Sequence, residues 1–163
     1  MQTLQNLTLI TITKNRPESL LQMLKYYDES GVRFVICDAS KKKIQKKKLH
    51  FNINISYHHL PNYSWEDRVI FATKRINTKY VVFNHDDDFF LISTLKIIIK
   101  KMEINKNIHA FGGMHYVFEN YNKKTYIKLL NTNTTSTTYK KNFEDKIESF
   151  LSCCDNTLHG SVF

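Results

Sequence analysis

Three consecutive aspartates concentrate negative charge in the middle of the chain. Asp86, Asp87 and Asp88 follow closely on the apolar run Tyr80–Phe83, which predicts a buried strand with carboxylates at its carboxyl end. Neighbouring carboxylates raise one another's pKa and repel unless a cation or hydrogen-bond donors offset them. A divalent cation with oxygen ligands meets this need and commonly accompanies phosphate. The acidic cluster therefore predicts a site for Mg²⁺ or Mn²⁺ beside a phosphate-bearing ligand.

Short apolar runs alternate with amphipathic segments around this cluster. Pro17 suits the first turn of one helix and Gly31 its end, while Ser64 and Asp67 have the spacing of a capping box that opens another. The predicted strands cover residues 7–13, 34–37, 53–58 and 80–84, and a further helix carries Leu95, Ile98, Ile99 and Met102 on one face. Such alternation predicts an α/β fold with a mostly parallel sheet covered by helices on both faces.

The pattern changes after His109. Residues 110–118 and 125–130 have the composition of strands, and the stretch 119–122 between them predicts a hairpin and hence a mixed sheet. The polar run 131–138 predicts a loop, and residues 143–151 predict a last amphipathic helix. The 163 residues fit one domain.

Polar residues follow each predicted parallel strand at the point where it ends. They are Thr13 to Arg16 after the first strand, Asp38 to Ser40 after the second, His58 and His59 after the third, and Asn84 to Asp88 after the fourth. Loops at the carboxyl ends of parallel strands emerge on one edge of the sheet, where ligands bind. We expect these groups to face one crevice.

At this point the residues resemble the glycosyltransferases of the GT-A fold, and within them family 2. The resemblance runs from about Leu7 to Phe118. Its motifs are Thr-x-x-Arg-Pro at Thr13 to Pro17, the aspartate Asp38, Arg68 on the helix before the fourth strand, the acidic cluster, and Phe111-Gly112-Gly113. It implies one GT-A domain over residues 1–163, with a nucleotide-binding part at about 5–105 and an acceptor-side part at about 106–163.

The resemblance also implies roles for individual residues. Thr13, Asn15 and Arg16 would border the nucleotide sugar, Asp38 would accept hydrogen bonds from the base or ribose, and Arg68 would lie near the diphosphate. Asp86 and Asp87 would also border the nucleotide sugar, and Asp88 and Asp86 would hold Mn²⁺ or Mg²⁺ at the two phosphates.

The register within the acidic cluster has two interpretations. If the chain is extended there, Asp86 and Asp88 share one face and Asp87 points the other way. If the acidic motif of the family is set by the two residues before Phe89 and Phe90, Asp87 and Asp88 are the pair most like its conserved positions. The metal ligands predicted from the sequence are Asp88 and Asp86.

Each of these residues has a simpler alternative. The aspartate run can start a helix, because carboxylates favour the helix amino end. Asp38 can be a turn former, and Arg68 can be a solvated surface charge. The three histidines His58, His59 and His85 fit structural or lining roles better than transition-metal ligation, since they show no repeated spacing.

The catalytic residue is unknown from the sequence. An inverting transfer needs a general base for the acceptor hydroxyl, and the family supplies it beyond the matched region. The candidates are Asp155, Glu144 and Asp145, with His159 as a further option. Because the chain ends at Phe163, the acceptor site is expected to be truncated, completed by a partner, or absent.

The leading hypothesis is a metal-dependent, inverting, hexosyltransferase-like enzyme. It would move a sugar from a nucleotide-diphosphate donor, expected to be a UDP-sugar, to a saccharide or lipid-linked acceptor in polysaccharide synthesis. A noncatalytic nucleotide-sugar binding module or inactive remnant is the alternative. A sugar nucleotidyltransferase ranks lower, because Thr13 to Arg16 lack the glycine-rich loop of that class.

The net charge of +9 arises largely from Lys41–Lys43 and Lys46–Lys48. This basic segment fits a solvated loop or short exposed helix, or attraction to anionic lipid headgroups or a phosphorylated acceptor. The acidic cluster at the ligand edge argues against a nucleic-acid partner. Three cysteines without disulfide or metal spacing, and no signal or membrane-spanning segment, predict a cytoplasmic protein, with peripheral contact at the inner face of the membrane as one option.

Overall fold

Four parallel strands form the sheet that supports the candidate site. The computed structural model of the protein describes residues 4–111, 116–121 and 124–129. The strands are β1 (Leu7–Thr13), β2 (Arg33–Asp38), β3 (Asn54–His59) and β4 (Tyr80–Phe83), and their order in the sheet is β3-β2-β1-β4. All three pairings are parallel, as the alternation of elements predicts.

Helices connect the strands, with a short basic turn between β2 and β3. They are α1 (Pro17–Tyr26), α2 (Trp65–Thr73) and α3 (Ile92–Ile104), and single 3₁₀ turns cover Leu4–Asn6 and Lys46–Lys48. Pro17 stands in the first turn of α1, where its missing N–H costs no hydrogen bond. Gly31 adopts φ of 82°, a left-handed conformation that glycine reaches without steric cost, between α1 and β2.

The two faces of the sheet bury different helices. Alternate residues of a strand point to opposite faces, so Leu7 and Leu9 pack in the cluster that contains α1 and α3, while Ile10 packs with Ala72 of α2. Every residue of β1 is buried except Ile12, which is partly buried. Cys37 is a free cysteine buried in the α2 cluster.

Strand register brings three strand ends to the same level. Thr13 of β1 pairs with Asp38 of β2, which pairs with His59 of β3. The fourth strand ends earlier, at Phe83 opposite Ile10. The chain that follows Phe83 therefore has room to turn across the end of β1.

The later strands confirm the predicted hairpin. β5 (Tyr116–Tyr121) and β6 (Lys124–Leu129) pair antiparallel, with Tyr121 opposite Lys124, so part of the predicted connection 119–122 belongs to β5. Within the described residues, these two strands form a sheet of their own, separate from the four parallel strands. The predicted loop 131–138 and helix 143–151 lie outside the described residues.

The basic segment after β2 is an exposed turn, as one of its two interpretations predicts. Its six lysines are exposed, while Ile44 between them is buried against the core. The Ile44 amide donates a hydrogen bond to the Tyr57 hydroxyl at 3.2 Å. In the described ranges, no helix is both long enough and apolar enough to cross a membrane.

The predicted capping box at the start of α2 is present. The Ser64 hydroxyl accepts a hydrogen bond from the Asp67 amide at 3.0 Å, and the Asp67 carboxylate accepts one from the Ser64 amide at 3.4 Å. These bonds satisfy amide groups that have no partner inside the helix.

We expect Ser64→Ala to lower the free energy of unfolding by about 1 kcal/mol, because it leaves the Asp67 amide without its capping acceptor. Urea denaturation measures the change. Ser93→Ala is the matched control, since Ser93 is an exposed residue in the first turn of α3. Equal stability changes in the two variants would contradict the capping role.

Candidate functional site

The acidic cluster lies in a turn that follows β4. The turn is centred on Asp86 and Asp87, and the Asp88 amide donates a hydrogen bond to the His85 carbonyl at 3.3 Å. Because the chain is not extended here, the alternation that would put Asp86 and Asp88 on one face does not apply. Asp86 is buried, whereas Asp87 and Asp88 are exposed.

Asp86 joins the ends of β4 and β1. Its side chain is 4% exposed, and Oδ2 accepts a hydrogen bond from the Thr13 hydroxyl at 2.5 Å. Its other oxygen, Oδ1, lies 2.9 Å from Nη1 of Arg16. A buried carboxylate needs such donors, because desolvation penalises its charged form. Two residues of the Thr-x-x-Arg-Pro motif thus stabilise one aspartate of the acidic cluster.

Arg16 reaches a second carboxylate of the turn. Its Nη2 lies 2.6 Å from Oδ2 of Asp87, so the guanidinium bridges Asp86 and Asp87 with one nitrogen for each. The Arg16 side chain is 49% exposed. The fork geometry of guanidinium suits such pairs of oxygens.

The two carboxylates differ in their pKa. Burial raises the pKa of Asp86 above its ordinary value, and it outweighs the hydrogen bond from Thr13 and the charge of Arg16. Burial also acts to raise the pKa of Asp87, but the hydrogen bond and charge of Arg16 outweigh it and hold that pKa below its ordinary value. The deeper burial of Asp86 therefore makes its ionised form less favourable than that of Asp87.

The segment after the acidic turn is fixed to α1. The Tyr27 hydroxyl accepts a hydrogen bond from the Phe90 amide at 2.7 Å and lies 3.4 Å from the Phe90 carbonyl oxygen. Tyr27 is fully buried, and burial raises the pKa of its hydroxyl. Thr13 and Arg16 thus bind the aspartates of the turn, and Tyr27 binds the chain just after it, at Phe90.

Asn15 links the loop after β1 to the loop after β2. Its φ of 58° is left-handed, a conformation that asparagine tolerates better than most residues. Its amide donates to the Ser40 hydroxyl at 2.7 Å, and its side-chain oxygen accepts from the Lys41 amide at 3.1 Å. The two loops therefore form one continuous rim at the sheet edge.

Asp38 is fully buried, and both of its carboxylate oxygens have protein donors. Oδ1 accepts from the amide and the hydroxyl of Ser40, and Oδ2 accepts from the Tyr57 hydroxyl at 2.6 Å. Asp38 therefore fixes the turn that follows β2. Tyr57 was not among the predicted site residues, since periodicity alone does not say which strand neighbour donates to Asp38.

Arg68 is buried, so the alternative of a solvated surface charge is wrong. It is 7% exposed, and its guanidinium donates to the carbonyl oxygens of Thr13 at 3.0 Å and Ser64 at 3.1 Å. These bonds join α2 to the end of β1. Arg68 and Asp86 therefore both bind Thr13, one at its backbone and one at its side chain.

The histidines have partners in the protein. His58 lies 2.8 Å from the Ser56 hydroxyl and packs on Phe71, and burial lowers its pKa. His59 Nε2 lies 2.7 Å from the Ser40 carbonyl oxygen. Both fit the structural role predicted for them.

The acidic turn offers ligands of the type that Mg²⁺ and Mn²⁺ prefer. Its carboxylates and the Thr13 hydroxyl are oxygen donors, and the side-chain oxygen of Asn84, just before the turn, is buried without a hydrogen-bond partner in the described part of the chain. Among the described residues, no group of three His, Cys, Asp or Glu side chains is arranged to hold a metal ion. Such a donor set suits a cation that takes one or two carboxylates and completes its shell with phosphate and water.

Several predicted residues lie outside the described part of the chain. They are the candidate bases Glu144, Asp145, Asp155 and His159, and the glycines Gly112 and Gly113.

The sequence was compared with models of known protein families. The model of glycosyl transferase family 2 matches residues 8–159. The chain belongs to glycosyl transferase family 2. This membership, together with the parallel sheet flanked by helices, confirms the predicted GT-A fold class. The match also extends the resemblance, which the motifs carry only to Phe118, through most of the segment that contains the candidate bases.

Two solved structures resemble this family 2 chain. A crystal structure of S. aureus TarS is 18% identical with a TM-score of 0.45, over 60% of this chain and 19% of the TarS chain. A crystal structure of S. aureus TarS 1-349 is 17% identical with a TM-score of 0.45, over 64% of this chain and 33% of that one. The chain therefore spans a third or less of either structure's length. No curated protein matches it.

We expect Thr13→Val to raise the pKa of Asp86 further, because the variant removes the hydroxyl that stabilises its ionised form. Titration of the carboxyl carbon by ¹³C NMR measures the pKa. Thr94→Val, on an exposed position of α3, is the matched control and should leave Asp86 unchanged.

The same substitution has a predictable effect on stability. A group whose pKa is raised by folding stabilises the fold fully below its unfolded pKa, about 4 for aspartate, and that contribution is lost as the pH rises through the folded pKa. The loss of stability caused by Thr13→Val should therefore grow as the pH rises through the folded pKa of Asp86, because the missing hydroxyl stabilises the ionised carboxylate. An unchanged or lowered Asp86 pKa would contradict the assigned hydrogen bond.

Proposed function

We propose that this family 2 domain transfers a sugar from a nucleotide-diphosphate donor to a hydroxyl acceptor, with Mn²⁺ or Mg²⁺ at the acidic turn. The observation that carries the proposal is the convergence of Thr13, Arg16 and Asp86 at the carboxyl edge of a parallel sheet. This is the edge at which open α/β sheets bind their ligands. Family membership supports glycosyl transfer as the reaction class.

In this proposal, Asp88 and Asp86 hold the cation. A divalent cation bound there would offset the negative charge that develops on the leaving diphosphate. Asp88 is exposed on the turn, and Asp86 is anchored by Thr13. Arg16, with half of its side chain exposed, can bind a phosphate oxygen through its guanidinium.

The nucleoside would lie along the rim formed by Asn15 and Ser40. Asp38 shapes this rim by fixing Ser40, and a direct bond from its carboxylate to base or ribose would have to replace the Tyr57 hydroxyl at Oδ2. Arg68 would act by holding Thr13 in place. We propose a UDP-sugar as donor, on the family resemblance rather than on a contact.

The acceptor is proposed to be a saccharide or a lipid-linked saccharide in polysaccharide synthesis. Lys41–Lys43 follow the carboxyl end of β2, so the basic segment begins at the same edge as the acidic turn. This placement supports peripheral contact with an anionic membrane surface at the cytoplasmic face. One domain, inversion of stereochemistry and a general base within residues 144–159 are parts of the same proposal.

Sugar transfer or donor hydrolysis with Mn²⁺ tests the proposal. We expect Asp88→Asn and Asp86→Asn each to lower turnover by about a hundredfold or more, because a metal ion supplies several kcal/mol of transition-state stabilisation. Glu29→Gln is the matched control and should keep the activity of the parent chain, since Glu29 is exposed beyond α1, before β2 begins at the opposite edge of the sheet.

Unchanged turnover in both aspartate variants would contradict the metal role. Calorimetry separates the noncatalytic alternative. A chain that binds nucleoside diphosphate but turns over no donor, with or without acceptor, would be a binding module rather than an enzyme.

A further inference from the structure

Arg16 occupies carboxylate oxygens of the acidic turn that a cation would use. We propose that Arg16 is an internal counter-ion that competes with the divalent cation at Asp86 while it also pairs with Asp87, and that the diphosphate of the donor draws it away. Nucleotide and cation would then bind cooperatively. This inference rests on the proposed function, since it concerns the same edge of the sheet.

The competition follows from the contacts of the guanidinium. Nη1 lies 2.9 Å from Oδ1 of Asp86 and Nη2 lies 2.6 Å from Oδ2 of Asp87. The remaining oxygen of Asp86 accepts from the Thr13 hydroxyl. A cation that approaches Asp86 therefore meets an oxygen that already has a donor, and its charge repels the guanidinium at such distances.

The side chain of Arg16 can leave while its backbone stays. Its carbonyl accepts the first hydrogen bond of α1, from the Leu20 amide at 3.1 Å, and Pro17 fixes the next residue at the helix start. The side chain itself is half-exposed, and among the described residues its ion pairs are with Asp86 and Asp87 of the turn. A long side chain on a fixed backbone can exchange one oxyanion for another.

Charge balance favours this exchange when a diphosphate arrives. Three aspartates and one arginine leave the turn with excess negative charge, and the phosphates add more. A guanidinium binds phosphate oxygens as readily as carboxylate oxygens. With Arg16 on the diphosphate and a divalent cation on the carboxylates, each negative group keeps a positive partner.

A merely structural ion pair makes a different prediction. If Arg16 stayed on the turn at all times, its removal would change the affinity for Mn²⁺ equally with and without nucleotide. Under the proposed exchange, nucleotide already relieves the competition, so removal of Arg16 matters mainly when nucleotide is absent. Coupling between two ligands is reciprocal, so either affinity reports it.

The test is a titration of the full chain with Mn²⁺, followed by the EPR signal of free Mn²⁺, without nucleotide and with saturating UDP. We expect Arg16→Gln to bind Mn²⁺ alone about three- to tenfold more tightly than the parent chain, the range that ion pairs of a half-exposed side chain contribute. The enhancement of Mn²⁺ affinity by UDP should shrink by the same factor. Arg16→Lys, which keeps the charge but not the fork, should lie between them.

Arg33→Gln is the matched control, because it removes the same charge at the amino end of β2, where Arg33 donates to the Gln5 carbonyl. It should leave both affinities unchanged. If Arg16→Gln folds poorly by circular dichroism, Arg16→Lys decides the question alone.

Two results would overturn the inference in distinguishable ways. If Arg16→Gln and Arg16→Lys bind Mn²⁺ no more tightly than the parent chain, while the parent chain binds Mn²⁺ in the presence of UDP, the competition is wrong and the proposed function stands. If the parent chain with UDP holds no more Mn²⁺ than UDP in buffer, the metal-dependent function fails and the inference fails with it.

Discussion

The buried carboxylate of Asp86 is the constraint around which this edge of the protein is arranged. A charge in that position is costly unless donors surround it. The Thr13 hydroxyl and the Arg16 guanidinium supply them, from the last residue of β1 and from the loop that follows it. Since β1 and β4 are neighbours in the sheet, the acidic turn and this loop meet without any long connection.

The same residue, Thr13, connects the turn to the rest of the fold. Its carbonyl accepts a hydrogen bond from Arg68 of α2. Two residues later, the Asn15 amide donates to Ser40 in the loop after β2. Ser40 is in turn held by Asp38, whose second oxygen binds Tyr57 of β3. A series of side-chain hydrogen bonds thus links the turn after β4 to β1, the loop after β2 and β3. The exposed carboxylates of Asp87 and Asp88 and the half-exposed guanidinium of Arg16 lie along this edge, as do the exposed residues Lys14 and Lys41.

Much of this arrangement follows from the sequence, because periodicity and strand ends are local properties. The β-branched run 7–13 predicts β1, Ser64 and Asp67 predict the start of α2, and the aspartates after Tyr80–Phe83 predict a charged strand end. Local patterns do not say which of three adjacent aspartates is buried, because the turn at Asp86 depends on Thr13 and Arg16, which lie about seventy residues earlier. For the same reason, the sequence did not show that Arg68 binds backbone carbonyls or that Tyr57 binds Asp38.

We infer that a nucleoside diphosphate and a divalent cation bind together at the carboxyl edge of the parallel sheet. Paramagnetic broadening of amide signals in ¹H–¹⁵N spectra, with Mn²⁺ added in the presence and absence of UDP, tests it most directly. We expect Mn²⁺ with UDP to broaden the signals of Asn15, Ser40 and Asp88 first and to spare those of Gly31 and Arg33 at the opposite edge. Broadening centred at the opposite edge, or none beyond that of Mn²⁺ alone, would contradict it.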